Sequence, residues 1–241
     1  MHLRTVENLM ADSYLQTATH LRRRALRGFN QHIDDNSETN STSQFFFASL
    51  LALHYLAETV TDLGDRNFAV SLDCTLNYFR LHRGARIMGE RANASFSTSP
   101  VAQWMIDASR EGLEEAKTNS QGYTILTSML EISELNEDSR KACGEAVDAL
   151  NFVKRKVGGP NGWGVHSMMA WSNLIPWRFL TLLEKYIPEA LVILAHYAVL
   201  MHRFRTFWCF NDLGKRLVDG ISGALAGYWA SWLPKLEDDV Y

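Results

Sequence analysis

In the first half of the chain, apolar residues recur every three or four positions, which is the spacing of an amphipathic helix. The first such stripe consists of Tyr14, Ala18, Leu21, Ala25, Phe29 and Ile33. It predicts a helix that starts near Ser13 and buries one face. The run 45–56 is apolar around most of a helix surface, which predicts a helix surrounded by others. A third helix is predicted from about Asp65 to Met88.

Residues typical of helix starts and helix ends divide the middle of the chain into separate predicted helices. Ser99-Pro100 predicts the start of a helix that contains Trp104 and Ile106, and the segments 123–132 and 139–157 have helical patterns. The glycine-rich run 158–162 then breaks the chain. Neither side of this break has the apolar content to close a core alone. We therefore expect one domain, 1–241, in which the break separates two helical layers.

The most apolar segment follows Pro188, a residue that suits the first position of a helix. Ala190 to Met201 is almost entirely apolar but shorter than the roughly 20 residues of a membrane span. It predicts a buried core helix and no membrane span. A last helix is predicted from Leu213 to Leu233. Because strand-like alternation is absent, the predicted fold class is all-α, a multi-helix bundle with an internal apolar cavity.

Composition limits which binding partners and which cellular location are expected. The 241 residues are 46% hydrophobic and 21% charged, which is typical of a globular protein, and the net charge of −3 argues against direct binding of nucleic acid. Cys74, Cys143 and Cys209 lie far apart, which argues against a disulfide framework. The first residues, Met1 to Arg4, lack the apolar run of a signal peptide. We expect an intracellular location, in the cytoplasm or the nucleus.

Sequence motifs give little support to common catalytic chemistry. The chain has no G-x-S-x-G, no P-loop, no G-x-G-x-x-G and no H-E-x-x-H. The acidic run 34–38 superficially resembles the magnesium motif of class I terpene synthases, but it falls in a predicted loop and is interpreted as a solvated surface. No metal site and no cofactor are predicted.

His196 and Tyr197 stand out because they lie inside the most apolar helix. A buried polar tip without a partner costs about 1–3 kcal/mol. Either these side chains bond to neighbouring backbone, or they supply the few orienting polar groups of an apolar pocket. Asp212 allows the same two interpretations and is also a predicted N-cap of the last helix. The residues predicted to line such a pocket are Trp171, Trp177, His196, Tyr197, Leu200, Met201, Trp208 and Phe210.

The segment 188–233 is similar to a known family. It reads PEALVILAHYAVLMH, then FWCFNDLG, and ends in WASWL. With the stretches 14–18, 24–26, 46–53 and 81–86, it resembles the C-terminal regulatory domain of fungal zinc-cluster transcription factors of the sterol uptake control type. The last of these stretches, LHRGAR, is similar to that family's leucine-arginine-glycine turn.

The resemblance implies an all-α domain whose interior accepts a sterol and whose occupancy controls nuclear entry and transcription. The family contacts DNA through an N-terminal six-cysteine zinc cluster, which three scattered cysteines do not supply. The chain is then expected to be either an excised regulatory domain or a stand-alone protein that kept the ligand-binding shell.

Three functional hypotheses follow. The favoured one is a ligand-binding module that encloses a sterol- or terpenoid-like molecule. The second is a cofactor-independent cyclase or pericyclase of secondary metabolism, in which His196, Tyr197 or Asp212 polarises or deprotonates the substrate. Positioning alone removes roughly 7–11 kcal/mol of a barrier, so missing motifs do not exclude it. The third is an interaction module that dimerises, with itself or with a transcription regulator, through its outer helices.

Overall fold

Helical patterns in the sequence become helices in most of the segments that the structure, a computed structural model, describes. The described residues are 3–32, 38–62, 67–91, 121–158, 164–225 and 227–236, and no strand occurs among them. The helices are α1 (Leu3–Gln31), α2 (Glu38–Asp62), α3 (Phe68–Arg91), α4 (Gln121–Glu131), α5 (Glu137–Gly158), α6 (Val165–Met169), α7 (Trp171–Leu174), α8 (Trp177–Glu184), α9 (Pro188–Arg203) and α10 (Leu213–Ala224), followed by a 3-10 turn (Tyr228–Ser231). The predicted all-α, multi-helix fold class is confirmed.

Most predicted elements agree with these bounds. α3, α4, α5 and α9 lie within a few residues of their predicted ranges, and α5 ends at Gly158, where the break was expected. α1 begins ahead of its predicted start, Ser13. Several predicted features lie outside the described residues: the acidic run at 34–37, the helix start at Ser99-Pro100 with Trp104, and the remainder of the break, 159–163.

The first two helices are less buried than their patterns predict. Leu21 on α1 is 56% exposed, and Phe46 and Leu50 on α2 are 39% and 61% exposed. Ala25 is exposed as well. The predicted stripe on α1 is therefore wrong at Leu21 and Ala25, since α1 contacts α2 only weakly in the described part of the chain. α2 is buried chiefly along its contact with α3, through residues such as Leu56.

α9 is the central helix of the core, as predicted. Pro188 occupies its first turn after an extended Ile187, where the missing N–H of proline costs no hydrogen bond. All residues from 190 to 198 are buried, because α5 packs on one side of α9, α10 on another, and α4 and α8 complete the surroundings. Full burial of each large aliphatic side chain stabilises the fold by about 1.5–3 kcal/mol.

A glycine sets the close approach of α9 and α10. A Cβ atom added at Gly214 would lie 2.5 Å from the carbonyl oxygen of Ala198 and 2.7 Å from the backbone nitrogen of His202. No side chain fits between backbones at this distance. Gly214 therefore allows α10 to rest directly on the backbone of α9.

The predicted last helix to Leu233 is wrong in its second half. α10 ends at Ala224, and Gly227 has φ 85°, a left-handed conformation that glycine adopts without strain. The chain turns there and continues as the 3-10 turn. This change of direction brings the backbone of Trp232 to the side of α9, where its carbonyl oxygen contacts His196.

The three cysteines are buried free thiols, consistent with the expectation that they form no disulfide framework. Burial raises the pKa of Cys74 to about 11 and the pKa values of Cys143 and Cys209 to about 12. At neutral pH these side chains are protonated and weakly nucleophilic, because the thiolate is the reactive form.

Candidate functional site

Four fully buried rings meet beside the centre of α9 and form what we call the aromatic cluster: Phe79, Trp171, Phe179 and Tyr197. The rings of Trp171 and Tyr197 stack with centroids 4.2 Å apart, and Phe79 meets both at their edges, at 5.6 and 5.8 Å. Trp171 Nε1 donates a hydrogen bond to the carbonyl oxygen of Ala146 at 3.0 Å. Helices α3, α5, α7, α8 and α9 thus converge on one cluster.

Two phenol groups are buried here without hydrogen-bond partners. Neither Tyr78 Oη nor Tyr197 Oη has a partner within the described part of the chain. Burial raises the pKa of each hydroxyl above its usual value, and the nearby Cys209 raises both further. A hydrogen-bonding contact with Ser172 opposes this shift in the pKa of Tyr78. Both phenols are therefore neutral, and Tyr197 Oη in particular keeps unused capacity to donate and to accept.

A histidine–serine pair borders the two phenols. His82 Nδ1 lies 2.6 Å from Ser172 Oγ, and Ser172 Oγ donates to the carbonyl oxygen of Met169 at 2.9 Å. Asn173 Nδ2 lies 3.4 Å from the same nitrogen, and whether His82 Nδ1 donates or accepts in these contacts depends on the His82 tautomer. The ring of His82 stacks on Tyr78 at 5.5 Å. Burial lowers the pKa of His82 to about 4, so this pair is neutral and fixes the ring of His82 against Tyr78.

His196 lies on another side of α9 from the aromatic cluster. Its Nε2 donates to the carbonyl oxygen of Trp232 at 3.0 Å. Burial lowers its pKa to about 4, the hydrogen bond to Trp232 opposes this shift, and the nearby Lys154 adds to it. Of the two alternatives predicted for His196, the structure shows a hydrogen bond to backbone, but to a residue 36 positions away and not to a neighbour. Tyr197 Oη makes no such bond within the described ranges.

The other predicted lining residues separate into two groups. Leu200, Met201 and Phe210 are buried, whereas Trp177 and Trp208 are each 58% exposed. The indole of Trp177 carries the Arg83 guanidinium 5.7 Å from its centroid. The structure brings Trp171 and Tyr197 together but does not bring Trp177 or Trp208 to the aromatic cluster.

The three predicted catalytic residues are not assembled. His196 and Tyr197 are adjacent in sequence but face different neighbours, and Asp212 is an exposed residue at the start of α10. Asp212 is the N-cap residue, as predicted, but its side chain makes no capping hydrogen bond. It borders an open surface groove of about 490 Å³ with Lys215 and Asp219, which form an ion pair at 2.9 Å.

Sequence reasoning missed several residues of these sites. Tyr78 and His82 are one helical turn apart on α3, on a face that also carries Phe79, and this spacing is a readable pattern. Lys154 continues the apolar positions Val147 and Leu150 on α5, so a charge on a buried face was also visible. Ser172, by contrast, lies in a four-residue helix whose position depends on tertiary packing.

Within the described ranges, no group of three or more His, Cys, Asp or Glu side chains is placed to hold a metal ion. In the same ranges, none of the helices combines the length and the apolar character that crossing a membrane requires.

Comparison with known proteins gives a partial similarity. No protein-family model and no solved structure matches the chain. A stretch of 97 residues is 36% identical to a protein of Emericella nidulans described as orsellinic acid/F9775 biosynthesis cluster protein D. This match covers 40% of the chain but only 17% of that relative. The chain therefore resembles part of a protein from a fungal secondary-metabolite cluster. The resemblance to zinc-cluster regulators stays a prediction.

Proposed function

We propose that this chain binds an apolar small molecule of secondary metabolism beside α9, with the ligand's oxygen atom paired to the hydroxyl of Tyr197. The observation that carries the proposal is the fully buried Tyr197 Oη, which has no hydrogen-bond partner among the described residues. Each unpaired polar group costs about 1–3 kcal/mol, and native structures rarely retain one without a role.

A ligand with one or two oxygen atoms on an apolar skeleton fits these surroundings. Phe79 and Trp171 supply apolar ring surfaces, and the two phenols supply the few polar groups that fix orientation in such sites. Sterols and terpenoids carrying a hydroxyl or carbonyl group have this composition. The similarity to a biosynthesis cluster protein supports a natural product as the ligand.

Entry of the ligand requires a local rearrangement, because the Trp171 and Tyr197 rings are in direct contact. The movable part is the connection formed by α6 and α7, which are helices of five and four residues. Met168 and Met169, both buried, precede Trp171 in this connection, and methionine side chains adapt readily to a changed shape. We propose that this connection moves away from α9 to admit the ligand.

The resemblance to regulatory domains of zinc-cluster transcription factors suggests what ligand binding does in this proposal. In that scheme the domain is a sensor whose occupied form is more stable than its empty form. A ligand at a hundred times its dissociation constant adds about 2.7 kcal/mol to the free energy of unfolding. For a domain of this size each kcal/mol raises Tm by about 2–4 °C.

Thermal unfolding with and without ligand tests the proposal. The probes are ergosterol, farnesol and orsellinic acid, each added to the purified chain, with mass spectrometry of co-purified small molecules as an independent search. We expect at least one probe, or a co-purified compound added back, to raise Tm. The absence of any shift, together with the absence of a co-purified compound, would contradict the proposal.

Tyr197→Phe is the matched variant, since it removes only the hydroxyl. Loss of one hydrogen bond to the ligand weakens binding about tenfold. Tyr123→Phe is the control, because it also removes only a hydroxyl, one that donates at the exposed surface to Asp148 Oδ1 at 3.0 Å. Equal affinity in wild type and Tyr197→Phe would place the ligand elsewhere.

A further inference from the structure

Two side-chain nitrogens converge on the first turn of α4, away from the aromatic cluster. A Cβ atom added at Gly122 would lie 3.3 Å from Lys154 Nζ and 3.6 Å from His196 Nδ1. Lys154 comes from α5 and His196 from α9, so three helices meet at this point. Glycine at position 122 leaves the space in which both nitrogens approach the backbone of α4.

Lys154 Nζ is a poorly solvated cation in this position. Among the described residues, Lys154 makes neither an ion pair nor a hydrogen bond. The first turn of α4 adds to the cost of the charge, because its free N–H groups carry partial positive charge. Burial lowers the pKa of Lys154, which increases the share of neutral amine at a given pH.

The second nitrogen is a base. His196 Nε2 carries the ring proton, since its partner, the carbonyl oxygen of Trp232, only accepts hydrogen bonds. His196 Nδ1 therefore carries a lone pair and makes no hydrogen bond within the described residues. A neutral imidazole nitrogen beside an amine is the arrangement that accepts a proton as the amine reacts.

We propose that Lys154 is a reactive amine that condenses with an aldehyde to form an imine, and that His196 accepts and returns the proton. The amine lone pair adds to the carbonyl carbon, which forms a C–N bond and places the electron pair on oxygen. A proton passes from nitrogen to His196 Nδ1 and then to this oxygen. The remaining N–H proton then passes through His196 Nδ1 to the hydroxyl, which leaves as water while the nitrogen lone pair forms the C=N bond, so no oxidant or reductant is needed.

A small aldehyde is the class of reagent that this pair of groups fits. Lys154 is partly buried, so the proposal requires a reagent small and flat enough to reach its amine. The carbonyl carbon of an aldehyde is electrophilic and reacts with the neutral form of that amine. The inference is independent of ligand binding at Tyr197, because it uses different side chains on another side of α9.

Reductive trapping tests the inference. The folded chain is incubated with benzaldehyde and sodium cyanoborohydride at neutral pH, and peptide mapping measures the rate of benzylation at each lysine. Because burial lowers the pKa of Lys154 and so increases its share of neutral amine, we expect the ratio of the Lys154 rate to the Lys141 rate to exceed one. Lys141 lies on the same helix and is exposed, which makes it the matched reference.

Three variants distinguish the role of Lys154 as the reacting amine from the role of His196 as the proton acceptor. Lys154→Arg keeps the charge and should abolish the fast labelling, whereas Lys141→Arg should leave it unchanged. His196→Gln should slow labelling at Lys154 but not at Lys141. If a variant fails to fold, as judged by circular dichroism, the comparison of Lys154 with Lys141 in the wild type still decides the matter. Equal rates at these two lysines, or protection of Lys154 by added phosphate, would overturn the proposal and indicate a structural or anion-binding lysine.

Discussion

The indole of Trp171 lies almost parallel to the phenol ring of Tyr197, with centroids 4.2 Å apart and planes inclined at 23°. This contact fixes the four-residue helix α7 against the centre of α9. The hydrogen bond from Trp171 Nε1 to Ala146 ties the same indole to α5. One side chain therefore holds three helices together beside the unpartnered hydroxyl of Tyr197.

Replacement of this indole is expected to destabilise the fold strongly. Trp171→Ala removes a fully buried ring and leaves a cavity, which costs about 3–5 kcal/mol in the free energy of unfolding. Urea unfolding followed by circular dichroism measures the change. Trp208→Ala is the control, since Trp208 is 58% exposed and its loss should cost about 0.5 kcal/mol or less. Similar costs for the two variants would contradict the central position of Trp171.

Removal of an unpaired hydroxyl should not weaken the empty protein. Tyr197→Phe deletes a buried polar atom that has no partner in the described part of the chain, so we expect the free energy of unfolding to stay the same or to rise by about 1–3 kcal/mol. The measurement is thermal or urea unfolding without ligand. A loss of more than about 1 kcal/mol, the usual worth of a hydrogen bond, would show that Tyr197 Oη has a protein partner.

The two buried histidines predict a pH dependence of stability. Burial lowers the pKa values of His82 and His196 from 6.5 to about 4. Above pH 6.5 both histidines are neutral in the folded and in the unfolded chain. Between pH 6.5 and 4 they take up protons in the unfolded chain but not in the folded one. The free energy of unfolding should therefore fall with decreasing pH, by up to about 1.4 kcal/mol per pH unit for each histidine.

Variants assign this dependence to the two sites. The neighbours of His82 are the neutral Ser172 and Tyr78, while His196 faces Lys154 and the Trp232 carbonyl. His82→Gln should reduce the slope of stability against pH by about half, because one of two titrating groups is lost. An unchanged slope in His82→Gln would mean that His82 is not excluded from protonation.

Two glycine substitutions should change the free energy of unfolding in opposite directions. Gly214→Ala places a Cβ 2.5 Å from the Ala198 carbonyl oxygen, so α10 must shift away from α9, at a cost of about 1–3 kcal/mol. Gly144→Ala, within α5, meets no atom within 4 Å and should stabilise the helix by about 0.5–1 kcal/mol. Unfolding curves of both variants check this pair. Tolerance of alanine at Gly214 would contradict the close backbone contact.

The sequence predicted those helices whose signals are local. α9 could be predicted because Pro188 suits a first turn and the apolar run after it has helix length. The end of α10 could not, because Trp229, Trp232 and Leu233 continue a helical spacing, and the turn depends on the backbone conformation of Gly227. The exposure of Leu21 likewise depends on which helices pack against α1, and spacing alone does not reveal this.

Only those site residues that have a local sequence signal could be predicted. Tyr197 could be identified because a polar tip in an apolar helix is visible in sequence, and Trp171 because of its size. Trp177 and Trp208 have the same chemistry, yet they lie on the surface, since the orientation of a side chain beside a turn is set by tertiary contacts. The meeting of His82 with Ser172 joins residues 90 positions apart and leaves no local pattern.

The alkylation rates of the three buried thiols report how often the fold opens around each of them. Because each is shielded and protonated in the folded state, alkylation by iodoacetamide must wait for a fluctuation that exposes it. Cys209 neighbours Tyr78 and Tyr197, whereas Cys74 lies near Thr59 on another side of α3. The ratio of their alkylation rates thus distinguishes a local breathing motion beside the phenols from unfolding of the whole molecule.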